Sequence, residues 1–106
     1  MKPVGVLTWL PGGIQQPAYE QQTLLVHSMT ADLEHAQACG GHAECGTCRV
    51  RLVSGTLTPM GHEEAELMRD HPGAFRSGER LGCQARPLGD AVIEVPSDEV
   101  PDLRDA

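Results

Sequence analysis

Four cysteines are the residues of this chain whose type and spacing could do chemistry. The four are Cys39, Cys45, Cys48 and Cys83. Five residues separate the first and second, two separate the second and third, and thirty-four separate the third and fourth. In a reducing compartment, four thiols point to metal or redox chemistry more often than to disulfides. Glycine directly follows each of the first two cysteines. Glycine permits close backbone approach and lets N–H groups turn toward negatively charged sulfur.

Several kinds of cysteine site are compatible with this pattern. An iron–sulfur cluster would employ all four thiolates. A zinc site also takes four cysteines, but usually as two C-x2-C pairs, and Cys83 has no neighbouring cysteine. A thioredoxin-like dithiol would need only Cys45 and Cys48 at the start of a helix, whereas the residues that follow alternate like a strand. The pattern favours the cluster, with zinc, a dithiol and a disulfide scaffold as the alternatives.

Charge and composition exclude several classes of function. The 106 residues include 15 acidic and 8 basic side chains, for a net charge of −7. Binders of nucleic acid or anionic membranes are usually basic, so partners with basic surfaces are expected instead. No apolar run approaches the ~18 residues of a membrane span, and the N-terminus lacks the apolar region of a signal peptide. We therefore expect a cytoplasmic protein without a membrane span.

Short strands and two brief helices must position the cysteines. A hairpin is predicted from two strands around the turn at 11–13, and Thr23 is a plausible N-cap for a helix that begins at Leu24. A strand with Val50 and Leu52 on one face, and Arg49 and Arg51 on the other, is expected to end at Gly55. The predicted strands and turn in the rest of this scheme are 4–9, 14–20, 80–85 with Cys83, a turn at 87–90, and 91–95.

The second predicted helix covers HEEAELMRD and stops at His71-Pro72-Gly73. Leu67 and Met68 should pack inward. Three acidic residues should lie outside, where they form a candidate docking surface: Glu63, Glu64 and Glu66.

The histidines are not expected to bind the metal. His42, within the cysteine loop, is interpreted as an exposed residue and not a ligand, since four cysteines are available. His27 and His35 are expected on the surface or on a helix face. No nucleophile–base pair or phosphate-binding glycine loop is present, so no enzymatic chemistry is predicted.

The run ACGGHAECGTCRVRLVSG, followed by RLGCQARPLGDAVIEVP, resembles the 2Fe–2S ferredoxins of the adrenodoxin or bacterial type. Those proteins share the five-residue first gap, whereas the plant type has four. The resemblance covers roughly residues 4–96 and implies a 2Fe–2S cofactor bound by all four cysteines. It also implies that Cys39 and Cys45 bind one iron and that Cys48 and Cys83 bind the other. Thr47 stands where the family has a small hydroxyl residue near the cluster.

The resemblance also implies the architecture. An α+β fold of the β-grasp type is expected, with a mixed sheet of about five strands, one main helix and a short second helix. Residues 1–96 would form the ferredoxin domain. Residues 97–106 are acidic and punctuated by prolines, and are expected to be a mobile tail.

The implied function is one-electron transfer, not catalysis. A monomeric carrier would pass electrons from a ferredoxin reductase to an oxygenase or a P450-like acceptor, docking through the acidic helix. The alternative is a redox-sensing or internal electron-transfer module excised from a larger enzyme. Arg49 departs from the histidine of mitochondrial adrenodoxin-type proteins, which leaves the partner open while the electron-transfer core is intact.

Overall fold

A five-stranded mixed sheet, in the order β2-β1-β5-β3-β4, is the frame of the molecule. The computed structural model describes residues 2–33, 47–96 and 103. The strands and helices, in chain order, are β1 (Gly5–Leu10), β2 (Ile14–Ala18), α1 (Leu24–Thr30), β3 (Arg49–Leu57), α2 (His62–Asp70), β4 (Glu79–Leu81) and β5 (Pro87–Glu94). The predicted β-grasp architecture, a mixed sheet of five strands with two helices, is confirmed.

The last strand of the sequence occupies the centre of the sheet. β5 runs parallel to β1, with Leu7 opposite Ala91, and antiparallel to β3, with Leu52 opposite Ile93. β1 and β2 form the predicted antiparallel hairpin at one side. The sheet is therefore held together by a strand that follows both helices in the chain.

The larger of two buried clusters lies on one face of this sheet. Alternate residues Leu7 and Trp9 of β1 are buried there, because side chains two apart on a strand share a face. The Trp9 Nε1 group donates to Gln16 Oε1 at 2.5 Å, so the polar end of the ring is satisfied as well. The first core cluster comprises Leu7, Trp9, Ala18, Leu24, Val50, Leu57, Ala85, Ala91 and Ile93.

Helix α1 begins as predicted. The Thr23 hydroxyl accepts the Val26 N–H at 3.3 Å, which satisfies one of the amides that a helix start leaves open. His27 on this helix is only 1% exposed, so its predicted surface position is wrong. Its ring binds backbone groups on both sides: Nε2 accepts the Tyr19 N–H at 2.9 Å, and Nδ1 donates to the Thr23 carbonyl at 2.7 Å.

Strand β3 does not end at Gly55 but continues to Leu57. Gly55 adopts a φ of +101°, and a Cβ there would lie 2.2 Å from the carbonyl oxygen of Asp90 in β5. The register between β3 and β5 is irregular at this point, and the close approach of the two strands leaves no space for a side chain larger than that of glycine. The predicted turn at 87–90 is wrong, since these residues form the first half of β5.

Helix α2 has the predicted bounds, His62–Asp70. Leu67 is buried as expected, and Met68 is half-buried. Over residues 2–33, 47–96 and 103, no helix has both the length and the apolar character needed to cross a membrane.

Leu103 differs from the expectation of a mobile tail. It is 7% exposed and belongs to the second buried cluster, described below. The other residues of the predicted tail lie outside the described residues, so the boundary at residue 96 stays a prediction.

Candidate metal centre

Two of the four cysteines come together in the second core cluster. Cys48 is 1% exposed and Cys83 is 7% exposed. The apolar residues that share this cluster are Leu25, Leu67, Leu81 and Leu103, with Ala74 and Phe75 packed against it. Iron–sulfur clusters are bound by cysteine thiolates, so two cysteines brought together in this way fit such a group.

Cys39, Cys45 and His42 lie outside the described residues, as does His35. Among residues 2–33, 47–96 and 103, no three histidine, cysteine or acidic side chains form a group that could hold a metal ion. The set of four cysteine ligands therefore stays a prediction. The structure brings two of them, Cys48 and Cys83, together.

The two buried cysteines sit on turns at the ends of paired strands. Cys48 directly precedes β3, beside the buried Thr47. Cys83 follows β4, so the prediction that it lies within a strand is wrong. The chain turns there because the amides of Gln84 and Ala85 both donate to the Leu81 carbonyl. The Gly82 N–H donates to the Cys48 carbonyl at 3.0 Å, which joins the two turns directly.

The start of α1 fixes the Cys83 turn from the other side. The Leu25 N–H donates to the Gly82 carbonyl at 2.8 Å, and the Leu24 N–H donates to the Ala85 carbonyl at 2.9 Å. Helix starts leave such amides without partners in the helix. The turn thus satisfies α1, and α1 in return holds both flanks of Cys83.

Helix α2 binds the chain just before this turn through hydrogen bonds to Glu64. This residue is 1% exposed, so its predicted place on an outer acidic surface is wrong. Its carboxylate accepts Arg80 Nε at 2.8 Å, Arg80 Nη2 at 3.0 Å and the Leu81 N–H at 2.9 Å. Three donors satisfy the buried charge. Arg80 thus binds a carboxylate through two of its nitrogens.

Arg49, directly after Cys48, is also buried, at 6% exposure, although it was predicted to share an outer face with Arg51. Its Nη1 donates to the Ala74 carbonyl at 2.5 Å, and its guanidinium lies 4.3 Å from the centroid of Phe75. Glu79 lies 3.7 Å away. Strand alternation alone could not reveal this, because the partners come from the loop after α2.

The chain is similar to known iron–sulfur proteins over most of its length. The profile of the 2Fe-2S iron-sulfur cluster binding domain matches residues 7–88. The 2Fe-2S ferredoxin-5 of Aquifex aeolicus is 36% identical over 81 residues, which are 73% of this chain and 83% of that protein. The ISC-like 2Fe-2S ferredoxin of Pseudomonas putida superposes with a TM-score of 0.76 at 25% identity, covering 90% of this chain and 94% of that one.

A third relative is much longer. The xylene/toluene monooxygenase electron transfer component of Pseudomonas putida is 31% identical over 83 residues, which are 78% of this chain but 23% of that protein. The match to the domain profile, and the ferredoxin of comparable length, confirm the resemblance seen in the sequence. The chain belongs to the 2Fe–2S ferredoxin family, and it is an electron-transfer protein that binds a 2Fe–2S cluster.

Proposed function

We propose that this chain carries single electrons from a ferredoxin reductase to an oxygenase or another redox acceptor, with Cys39, Cys45, Cys48 and Cys83 as the ligands of its cluster. The observation that carries the ligand assignment is the burial of Cys48 and Cys83 in one cluster, on turns joined by the Gly82–Cys48 hydrogen bond. When bound, the cluster supplies the site that accepts and releases one electron. The chain's part is to hold the thiolates, exclude water and meet the partner.

Replacement of each cysteine by alanine tests the ligand set. We expect loss of the visible absorption, and of the two irons and two labile sulfides, in all four variants, because an open iron position is exposed to water. His42→Ala is the matched control within the same loop and should keep the spectrum. A bleached His42→Ala protein, or a Cys→Ala variant with a full cluster, would contradict the assignment.

The proposed partners are redox proteins that approach the acidic face of α2. Glu63 and Glu66 are exposed on this helix, while the buried Glu64 is no longer part of the surface. The net charge of −7 suits a basic reductase face, since redox encounters use small interfaces steered by complementary charge. The monooxygenase relative supports an oxygenase as the acceptor. A monomer in the cytoplasm is part of this proposal.

Electron-transfer rates with a ferredoxin reductase test the docking surface. The rate should fall as salt rises, because the field is screened over ~8–10 Å at physiological ionic strength. Glu63→Lys should slow association and leave the spectrum unchanged. Glu20→Lys, an exposed reversal of equal charge between β2 and α1, is the control and should have a much smaller effect. Equal slowing by both would show that net charge acts, not α2.

A module of a longer redox enzyme is the second candidate, favoured by one observation. The chain matches only 23% of the monooxygenase electron transfer component, which places a domain of this kind within a larger protein. The two candidates differ in kinetics. A free carrier shows second-order reduction by the reductase, with a rate proportional to its concentration. An internal module is reduced at a rate that is independent of concentration.

A further inference from the structure

Strand β3 carries two arginine–glutamate pairs that differ mainly in burial. Arg49 Nη1 lies 3.7 Å from Glu79 Oε1, and these side chains are 8% and 7% exposed. Two residues further along the strand, Arg51 Nε lies 2.8 Å from Glu94 Oε1, with side chains 45% and 40% exposed. The two arginines of β3 thus pair with glutamate once in the interior and once in solvent.

The segment between α2 and β4 contacts both members of the buried pair. Arg49 donates to the Ala74 carbonyl at 2.5 Å and lies over the ring of Phe75. Glu79 accepts the N–H of Arg76 at 2.5 Å. Neither charged group can swing into water without breaking these contacts, so both charges have fixed positions.

The same segment packs against the two described cysteines. Ala74 and Phe75 cover the second core cluster, which contains Cys48 and Cys83. Arg49 is also the chain neighbour of Cys48, and it lies opposite Leu81 in the pairing of β3 with β4. The guanidinium of Arg49 therefore contacts the same two residues, Ala74 and Phe75, that pack against the cluster containing the proposed ligands.

Fixed charges in such a place act on electron uptake. Reduction adds one negative charge to the site, so a nearby cation favours it and a nearby anion opposes it. A pair in the interior acts over a longer range than an exposed pair, since water and salt screen the latter. The local charges around an iron–sulfur cluster are among the factors that set its reduction potential.

We propose that Arg49 and Glu79 are opposed, buried charges that set the reduction potential of the bound cluster, Arg49 raising it and Glu79 lowering it. Arg51 and Glu94 have no comparable effect. The proposal rests on the assignment of Cys48 and Cys83 as ligands made above. It assigns a role to a residue that the sequence pattern had placed on an outer face.

Redox titration of the cluster-loaded protein, with dithionite as the reductant and mediator dyes, tests the proposal. We expect Arg49→Gln to shift the potential negative and Glu79→Gln to shift it positive. The double variant should fall between the two. The shifts of Arg51→Gln and Glu94→Gln should be several-fold smaller. Because the buried charges are poorly screened, the shifts of the first two variants should persist at high salt.

Opposite signs are the signature that a merely structural role would not produce. Loosened packing in either buried variant would admit water to the same place and move both potentials in one direction. Arg49→Lys, which keeps the charge but loses the planar contact with Phe75, should stay near the wild-type potential even if it is less stable. If Arg49→Gln fails to fold, Glu79→Gln, which leaves the contacts of Arg49 with Ala74 and Phe75 in place, must still shift the potential positive. An unchanged or more negative potential in that variant would overturn the proposal.

Two results would overturn the proposal: shifts of equal sign in the two buried variants, or shifts no larger than those of the exposed pair. Iron and sulfide content separates this failure from failure of the ligand assignment. Variants that load a normal cluster with unchanged potential refute the role of the buried charges alone. Cysteine variants that keep their cluster refute the ligand assignment.

Discussion

The imidazole of His27 is one of the few polar side chains in the interior. Its Nε2 accepts the Tyr19 N–H and its Nδ1 donates to the Thr23 carbonyl, while the ring stacks on Tyr19 at 6.1 Å between centroids. Both bonds require the neutral ring with its proton on Nδ1. Burial accordingly lowers the pKa of His27 below its ordinary value of 6.5, although the bond to the Thr23 carbonyl acts in the opposite direction.

This lowered pKa predicts a loss of stability in acid. The unfolded chain takes up the His27 proton near pH 6.5, whereas the folded protein resists it until the pH is lower. The contribution is therefore complete above pH 6.5 and declines as the pH falls toward the folded pKa. The measurement is the rate at which cluster-loaded protein loses its visible absorption in guanidinium, from pH 8 to pH 5.

His27→Gln should unfold faster than the wild type at pH 8 and should show a shallower increase in rate toward pH 5. The control is His62→Gln, because His62 is an exposed residue, 3.1 Å from Glu66, on α2. That variant should retain the pH dependence of the wild type. If the pH profiles of His27→Gln and the wild type are parallel, protonation of His27 does not cause the pH dependence of unfolding.

Helix α2 presents its acidic residues in two directions. Glu64 faces the interior and binds Arg80 and the Leu81 N–H, while Glu63 beside it is exposed. The helix thereby links a surface that could meet a partner to the turn that carries Cys83. Under the proposals above, this one element of 9 residues serves both partner docking and the placement of Cys83.

Glu64→Gln should destabilise the protein by about 3 kcal/mol, because it breaks a buried ion pair and leaves the Arg80 charge without compensation. Glu63→Gln is the matched control on the same turn and should change the free energy of unfolding by less than ~0.5 kcal/mol. Chemical unfolding of both variants, followed by far-ultraviolet circular dichroism, measures the difference. Equal values would mean that the carboxylate of Glu64 contributes no more than a solvated one.

Sequence patterns predicted these elements where the signals are local. Pro72 and Gly73 end α2 where expected, and the Thr23 cap starts α1. The inward turn of Glu64 could not be predicted, because its partners lie 16 and 17 residues later in the chain. Gly55 looked like a strand end, although its conformation serves the pairing with Ala91 of a strand that comes much later. The cysteine spacing identified the site, but it carried no information about Arg49.

At the scale of the whole molecule, the buried residues within 2–33, 47–96 and 103 form two clusters. The first contains Trp9 and the centre of the sheet, and the second contains Cys48 and Cys83. Metal-site free energy appears as folding free energy in small metalloproteins. The second cluster should therefore depend on the bound group far more than the first.

Removal of iron by a chelator under reducing conditions should lower the melting temperature sharply. The loss of amide protection from hydrogen exchange should be largest at Leu25, Leu81 and Gly82, whose N–H groups bind the Cys83 turn or its neighbours. The amides of β1 paired with β5 serve as the internal control and should lose less. Uniform loss of protection over both clusters would show instead that the molecule is one cooperative unit.

The central position of β5 also orders events on the ribosome. Neither β1 nor β3 has its inner neighbour until residues 87–94 have been made, since β5 lies between them. At roughly 5–20 residues per second, translation leaves seconds between the emergence of the first three cysteines and that of the strand that closes the sheet. During this interval the early thiols belong to a nascent chain without a sheet. We therefore expect delivery of iron and sulfide to follow the emergence of residues 87–94, so that cluster insertion comes after the whole sheet has been synthesised.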